Sequence, residues 1–288
     1  EVWGHFFALW AIEVAVSVGH NILMIGPPGS GKTMLAKRIP TIMPDLSIEE
    51  AIEITKIHSL TGMLLAENSV VAARPFRNPH HTISNIALVG GGSFPKPGEI
   101  SLAHHGVLFL DELPEFKRDS LEALRQPLED GKITVSRINK SLVFPASFML
   151  VSSMNPCPCG ALGQLKSSCR CGTTQVYKYR SKISGPLLDR IDIHIEVPAI
   201  KYQELSSTFA AEGSARIKER VNRARQIQKE RLSGEGGKNE GITRNAQMLH
   251  KQVRKFCGLS KEESELLKLA MAELNFSARA YDKILKVS

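Results

Sequence analysis

Eight residues, Gly26-Pro27-Pro28-Gly29-Ser30-Gly31-Lys32-Thr33, constrain this chain more than any others. They spell G-x-x-x-x-G-K-T, follow an apolar run at 21–25 and open a helical pattern running toward Lys37. A glycine-rich turn between strand and helix lets backbone N–H groups point inward around phosphates, and the helix N-terminus adds positive potential. In this pattern the lysine, here Lys32, reaches the β- and γ-phosphates, and the hydroxyl of Thr33 ligates Mg²⁺. A chance glycine turn is the alternative, and the strand-before, helix-after context argues against it. The expected ligand is ATP with Mg²⁺, bound by residues 26–33.

A strand feeding such a helix belongs to a parallel sheet covered by helices, and the first half continues that way. Residues 107–110 and 148–152 are further short apolar strands, and 191–197 alternates apolar and polar, as a strand with one wet face does. Residues 6–18 read as a buried helix, Ser47-Ile48-Glu49-Glu50 as a capping box opening another, and 114–129 as a helix carrying Leu121, Leu124 and Leu128. Residues 132–147 are expected to form a β-hairpin with a polar tip at 137–140, and 74–98 a long irregular insertion. After Pro198 only helical patterns remain, at 214–231, 244–256, 260–274 and 277–286. The expected organisation is an α/β nucleotide-binding domain at 1–199 and a small all-helical lid at 200–288. The last pattern stops at Ser288 inside a helix, as in a fragment of a longer protein.

Chemistry beyond the phosphate loop follows strand order. Val107-Leu108-Phe109-Leu110-Asp111-Glu112 delivers two carboxylates to a strand's C-terminal end, where open α/β sheets bind ligands. Asp111 is expected to hold Mg²⁺ through water and Glu112 to orient and deprotonate the attacking water. Asn155, ending the next strand, either contacts the γ-phosphate or forms a turn before Pro156. Arg190 in Leu187-Leu188-Asp189-Arg190-Ile191-Asp192 is either an arginine finger for a neighbouring subunit's nucleotide or a local partner of Asp189 or Asp192. Arg279 lies in the first turn of the last helix, where a cation opposes the helix dipole, so something else must place it. It is a second candidate reporter on the γ-phosphate.

The chain carries a formal charge of +8, which permits a polyanionic partner without requiring one. Arg137 and Lys140 at the hairpin tip are the leading DNA-contact candidates, with Arg77, His80, His81 and Lys96 behind them. Basic tips are also ordinary solvated turns. No apolar stretch is long enough to span a bilayer, so no membrane role is expected and the cytoplasm is the default. Cys157-Pro158-Cys159 and Cys169-Arg170-Cys171 offer four thiolates on one loop at 157–171, a set suited to a structural Zn²⁺. Free thiols or disulfides are the alternatives. Cys257 reads as a small core residue.

The chain resembles the magnesium-chelatase-like branch of AAA+ ATPases, specifically the ComM (YifB) family. The resemblance is carried by Arg74-Pro75-Phe76-Arg77-Asn78-Pro79-His80-His81-Thr82, by Leu88-Val89-Gly90-Gly91-Gly92, by Pro97 to His104, and by Ser184 to Asp192. It implies a AAA+ P-loop fold, a homohexameric ring, and an insertion and hairpin that point into the pore. It also implies ATP-driven DNA branch migration during recombination or natural transformation. The alternative with the same chemistry is a chelatase-type ATPase subunit that remodels a protein. The family's usual Val-x-Gly-Gln opening reads Val2-Trp3-Gly4-His5-Phe6-Phe7 here. Exposure of Trp3, Phe6, Phe7 and Trp10 would be unusual, so this segment is expected to pack differently.

Overall fold

A computed structural model describes residues 5–63, 70–92, 95–137, 140–164, 169–199, 212–233, 242–274 and 276–288, with the side chains of 136, 137 and 140 set aside. Helix α1 (Phe6–Val18) leads into β1 (Ile22–Ile25), the phosphate loop and α2 (Lys32–Ile42). Helix α3 (Ile48–Leu60) starts at the expected capping box, Ser47 Oγ and the Glu50 carboxylate each taking the other's backbone N–H. Then come β2 (Phe76–Arg77), α4 (Asn85–Val89), β3 (Gly90–Gly91), β4 (Lys96–Pro97), α5 (Glu99–Leu102) and β5 (Val107–Leu110).

The expected single helix at 114–129 is instead a 3-10 turn, Leu113–Glu115, followed by α6 (Arg118–Glu122) and α7 (Arg125–Asp130). The hairpin β6 (Lys132–Arg137) and β7 (Lys140–Pro145) precedes β8 (Met149–Met154). Helices α8 (Thr173–Arg180) and α9 (Gly185–Leu188) lead to β9 (Ile193–Glu196). Among the described residues after β9 are four α-helices, α10 (Ser214–Ser233), α11 (His250–Phe256), α12 (Lys261–Glu273) and α13 (Ala278–Val287). None of the described helices is long and apolar enough to cross a membrane.

The central sheet is parallel throughout, in the order β2-β5-β8-β1-β9. The inner strands β5, β8 and β1 are buried on both faces because both are covered, whereas the edge strand β9 alternates, with His194 and Glu196 turned away from the core. Successive residues alternate between two cores: Ile22, Met24, Val107, Phe109, Met149 and Val151 face one layer with α1 and α2. Leu23, Leu108, Leu110 and Leu150 face the other, with the hairpin and Tyr179. The edge strand β2 belongs to the segment read from sequence as one irregular insertion. Two residues are too short for a periodic signal, and pairing supplies it instead: Phe76 aligns with Val107 and its ring stacks on Phe109 at 6.1 Å.

Helix α10 belongs to both halves of the molecule. Its Ile217 and Val221 enter the α1–α2 core, while Leu232 joins Met248, Val253 and Leu285 in a third, smaller core. Arg220 clamps Glu13 of α1 with two bonds of 2.6 and 2.7 Å. Helix α1 has the expected bounds but is not buried all round. Ala8, Ala11, Ile12, Ala15 and Val16 face the core, whereas Phe6 (82% exposed), Phe7 and Trp10 point to solvent, which corrects the reading of 6–18 as a buried helix. Trp3 lies outside the described residues.

Candidate nucleotide-binding site

The phosphate loop closes the C-terminal end of β1, between β8 and β9. Gly26 N–H donates to Met154 O at 3.1 Å, and a Cβ at Gly26 would stand 2.1 Å from Val197 O, so only glycine fits where the loop leaves the sheet. Gly29 and Gly31 take φ of 74° and 83°, the left-handed region that turns successive N–H groups to one side. Pro27, Pro28 and Ser30 complete the loop, and Ser30 N–H donates to Pro27 O at 3.3 Å. Lys32, first residue of α2, is buried, and its Nζ donates to Gly26 O at 2.7 Å and Pro27 O at 2.8 Å. Burial pushes its pKa down, against the pull of the Asp111 and Glu112 carboxylates. The cation is held at the loop by carbonyl dipoles and can exchange them for phosphate oxygens.

Thr33 Oγ1 donates to Asp111 Oδ2 at 2.7 Å, joining the start of α2 to the end of β5. Ser153 Oγ, on the neighbouring strand β8, donates to Asp111 Oδ1. One hydroxyl on each carboxylate oxygen fixes the plane of Asp111. This all-oxygen set of threonine hydroxyl and carboxylate is the chemistry that Mg²⁺ selects. Glu112 turns the chain out of the sheet with φ 55° and ψ 48°, a left-handed conformation that costs a non-glycine residue about 1 kcal/mol. The turn leaves its carboxylate more than half exposed, aimed outward, with His81 Nδ1 3.5 Å from Oε2. Asn155, the residue after β8, places Oδ1 3.5 Å from Lys32 Nζ. The structure therefore brings Lys32, Thr33, Asp111, Glu112 and Asn155 together at one end of the sheet.

Arg190 and Arg279 are elsewhere. The carbonyl of Arg190 accepts from Asn21 Nδ2 at 2.9 Å, and Asn21 precedes β1, so Arg190 sits at the N-terminal ends of the strands, away from the phosphate loop. Its guanidinium bonds Glu129 and, at 2.7 Å, Pro186 O. Neither Asp189 nor Asp192 is its side-chain partner; Asp192 is taken by His20 at 2.8 Å and Lys283 at 2.9 Å. The same Glu129 accepts from Arg279 at 2.8 Å, which explains why a cation stands in the first turn of α13. Two arginines 89 positions apart in the chain thus share one exposed carboxylate.

Of the residues considered for DNA, Arg77 is committed: Nε and Nη2 each bond Glu99 at 2.6 Å. His80 bonds Thr82 Oγ1 at 2.9 Å and its ring packs at a tilt against His81, while Lys96 is exposed. Arg137 and Lys140 pair in register at the end of the hairpin, and their side chains lie outside what is described. The four cysteines are unbridged. Their sulfurs lie within 4.8 Å of one another, with Cys157 buried and Cys159 exposed. Backbone N–H groups of Ala161 and Arg170, aimed at Cys159 Sγ, pull that thiol down to about 6.

Sequence reasoning missed Ser153, whose role needs two neighbouring strands in register, and His81 as a neighbour of Glu112. It also missed His5, buried at the start of α1 with Nε2 3.4 Å from where a Cβ on Gly31 would stand.

A family model for magnesium chelatase subunit ChlI matches residues 1–205, and a model for its C-terminal region matches 211–288. The chain belongs to the magnesium-chelatase ChlI family. Within it the chain is 45% identical to "Competence protein ComM" of Haemophilus influenzae, over 100% of this chain and 54% of that protein. It is 45% identical to the uncharacterized protein YifB of Escherichia coli, over 96% of this chain and 53% of that protein. A "Magnesium-chelatase 67 kDa subunit" of Chlorobaculum tepidum is 26% identical over 52% of this chain and 21% of the subunit. The chain therefore spans about half the length of the ComM and YifB relatives, and its parallel sheet with a C-terminal helical region is the AAA+ fold of this family.

Proposed function

We propose that this chain hydrolyses Mg·ATP as one subunit of a homohexameric ring motor that moves DNA, as in branch migration during recombination or natural transformation. The observation that carries the ATPase reading is the meeting of Lys32, Thr33, Asp111, Glu112 and Asn155 at the C-terminal ends of β1, β5 and β8. The backbone of residues 26–33 and Lys32 neutralise the β- and γ-phosphates. Thr33 and Asp111, the latter oriented by Ser153, hold Mg²⁺, which supplies charge neutralisation on the phosphates. Glu112 accepts the proton of the attacking water, and Asn155 positions that water or the γ-phosphate.

Arg190 and Arg279 stand away from the phosphate loop of their own chain, so we assign them to a neighbour's nucleotide. In a ring, Arg190 leaves Glu129 and meets the γ-phosphate across the interface, with Arg279 beside it. The four thiols of Cys157, Cys159, Cys169 and Cys171 are assigned a structural Zn²⁺. DNA is assigned to the pore, contacted by the β6–β7 tip at Arg137 and Lys140, and the setting is the cytoplasm, where ATP and DNA coexist. Support for DNA is the similarity, over all of this chain and 54% of the relative, to a protein named for competence. The match to magnesium-chelatase subunits favours a second reading, the same ATP chemistry acting on a protein partner.

ATP turnover measured with and without branched or single-stranded DNA, at two salt concentrations, separates these. Stimulation by DNA that weakens with salt is expected, because phosphate contacts release counterions. Replacing Arg137 and Lys140 together with alanine is expected to remove the stimulation and leave basal turnover. Robust turnover indifferent to DNA would transfer the proposal to the protein-remodelling reading.

A further inference from the structure

The loop that carries the four cysteines rests on the phosphate loop, and the contact is tight. Gly160, next to Cys159, has φ 76°, and a Cβ there would stand 2.4 Å from Pro28 Cδ and 2.8 Å from Pro28 Cγ. At the base of the same loop, Cys157 is fully buried two residues after Asn155, whose Oδ1 faces Lys32. Helix α8 starts two residues after Cys171 and returns to that base: Arg180 Nε and Nη2 donate to Pro156 O at 3.3 and 3.1 Å. Tyr179, next to Arg180, is buried in the same apolar core as Met154. The cysteine loop is thus a closed span from the Asn155 strand end to α8, with its crest against Pro28.

That span carries little regular structure where it is described. Among its described residues, 156–164 and 169–172, there is no helix or strand, and only Cys157 and Gly160 are buried. What converges inside it is sulfur. Cys157 Sγ lies 3.4 Å from Cys159 Sγ and 3.7 Å from Cys169 Sγ, and Cys159 to Cys169 is also 3.7 Å. Thiolates at about 2.3 Å from a tetrahedral Zn²⁺ are separated by about 3.8 Å. The separations also exceed by far a disulfide's roughly 2.05 Å.

We propose that a metal ion held by Cys157, Cys159, Cys169 and Cys171 is a clasp on the nucleotide site: by shaping the loop it presses Gly160 against Pro28 and anchors Asn155, so nucleotide affinity depends on the metal. This inference rests on the Zn²⁺ assignment above. The clasp makes no contact with phosphate. Residues Cys157 to Cys171 are positioning residues, acting through Pro28 and Asn155.

The test joins elemental analysis to a fluorescence titration with labelled ADP and Mg²⁺, on the chain purified without chelator. The wild type should carry one zinc per chain. Cys169→Ser with Cys171→Ser should lose it and bind Mg·ADP about tenfold more weakly or worse, with far-ultraviolet circular dichroism retained. Gly160→Ala should keep its zinc and still bind more weakly, and adding Pro28→Ala, which removes the opposing ring carbons, should restore part of the loss. Zinc present in the wild type with unchanged affinity in the zinc-free variant would overturn the clasp and leave the metal assignment standing. No zinc in the wild type would overturn both. If the double-cysteine variant does not fold, normal affinity in Gly160→Ala overturns the clasp.

Discussion

At the scale of single residues, the nucleotide site depends on a few hydrogen bonds that hold acidic groups in place. Glu112→Gln keeps the shape and hydrogen bonding of the side chain and removes its basicity. It should retain labelled-nucleotide binding while turnover falls about 10²–10⁴-fold, the usual loss for a general base. Ser153→Ala removes one of two hydroxyls on Asp111, the one on Oδ1. Its turnover should require about 10–100-fold more Mg²⁺ for half-saturation, with the ATP chemistry recovered at high Mg²⁺. A magnesium titration of ATPase rate checks this, and an unchanged midpoint would show that Thr33 alone orients the carboxylate. Glu112, Asp111 and Lys32 were legible in the sequence because each belongs to a motif local in the chain. Ser153 was not, since it reaches Asp111 across 42 residues and only strand register brings them together.

Elements show the same division. The capping boxes at Ser47 and Ser260 formed as read, and Ser277 caps α13, because a cap depends on residues three apart. Helix α1 and the strands β1 and β5 were also readable from apolar runs. The two-residue strand β2 and the broken helix before Asp130 were not, because pairing and a proline-interrupted turn decided them. The two-sided character of α1 escaped notice since its apolar residues do not alternate with polar ones. One brace between elements carries a pH signature. His104 Nδ1 accepts from Ser147 N–H at 3.0 Å, while Nε2 meets Glu53 of α3 at 3.0 Å, so the neutral ring joins α3 to the turn before β8.

Burial, aided by neighbouring His105, holds His104 below the ordinary histidine value of 6.5. The unfolded chain therefore takes up this proton first. The brace contributes its full stability above pH 6.5 and loses it as pH falls through the lower folded value. Thermal melts between pH 7.5 and 5, at fixed salt, should show the midpoint falling below pH 6.5, with a shallower fall in His104→Leu. Parallel slopes in the two proteins would remove His104 from the explanation.

At the scale of the whole molecule, the residues that the sequence groups around one nucleotide lie at two ends of the sheet. Lys32, Thr33, Asp111, Glu112 and Asn155 stand at the C-terminal ends, while Arg190 and Arg279 share Glu129 near the N-terminal ends. The convergence on Glu129 was invisible to sequence reading, which weighed Asp189 and Asp192 as partners for Arg190; Arg279 and Glu129 lie 150 residues apart. If Arg190 serves a neighbour's nucleotide, as proposed, the chain binds nucleotide alone and completes hydrolysis only beside a neighbour. The most direct measurement mixes two inactive proteins, Lys32→Ala and Arg190→Ala, and follows ATP turnover. Each alone should be nearly inactive, Lys32→Ala through lost binding and Arg190→Ala with binding intact. Their mixture should regain turnover, because some interfaces then pair an intact phosphate loop with an intact Arg190. A mixture no more active than its parts, or an Arg190→Ala protein that hydrolyses ATP at the wild-type rate, would contradict the account.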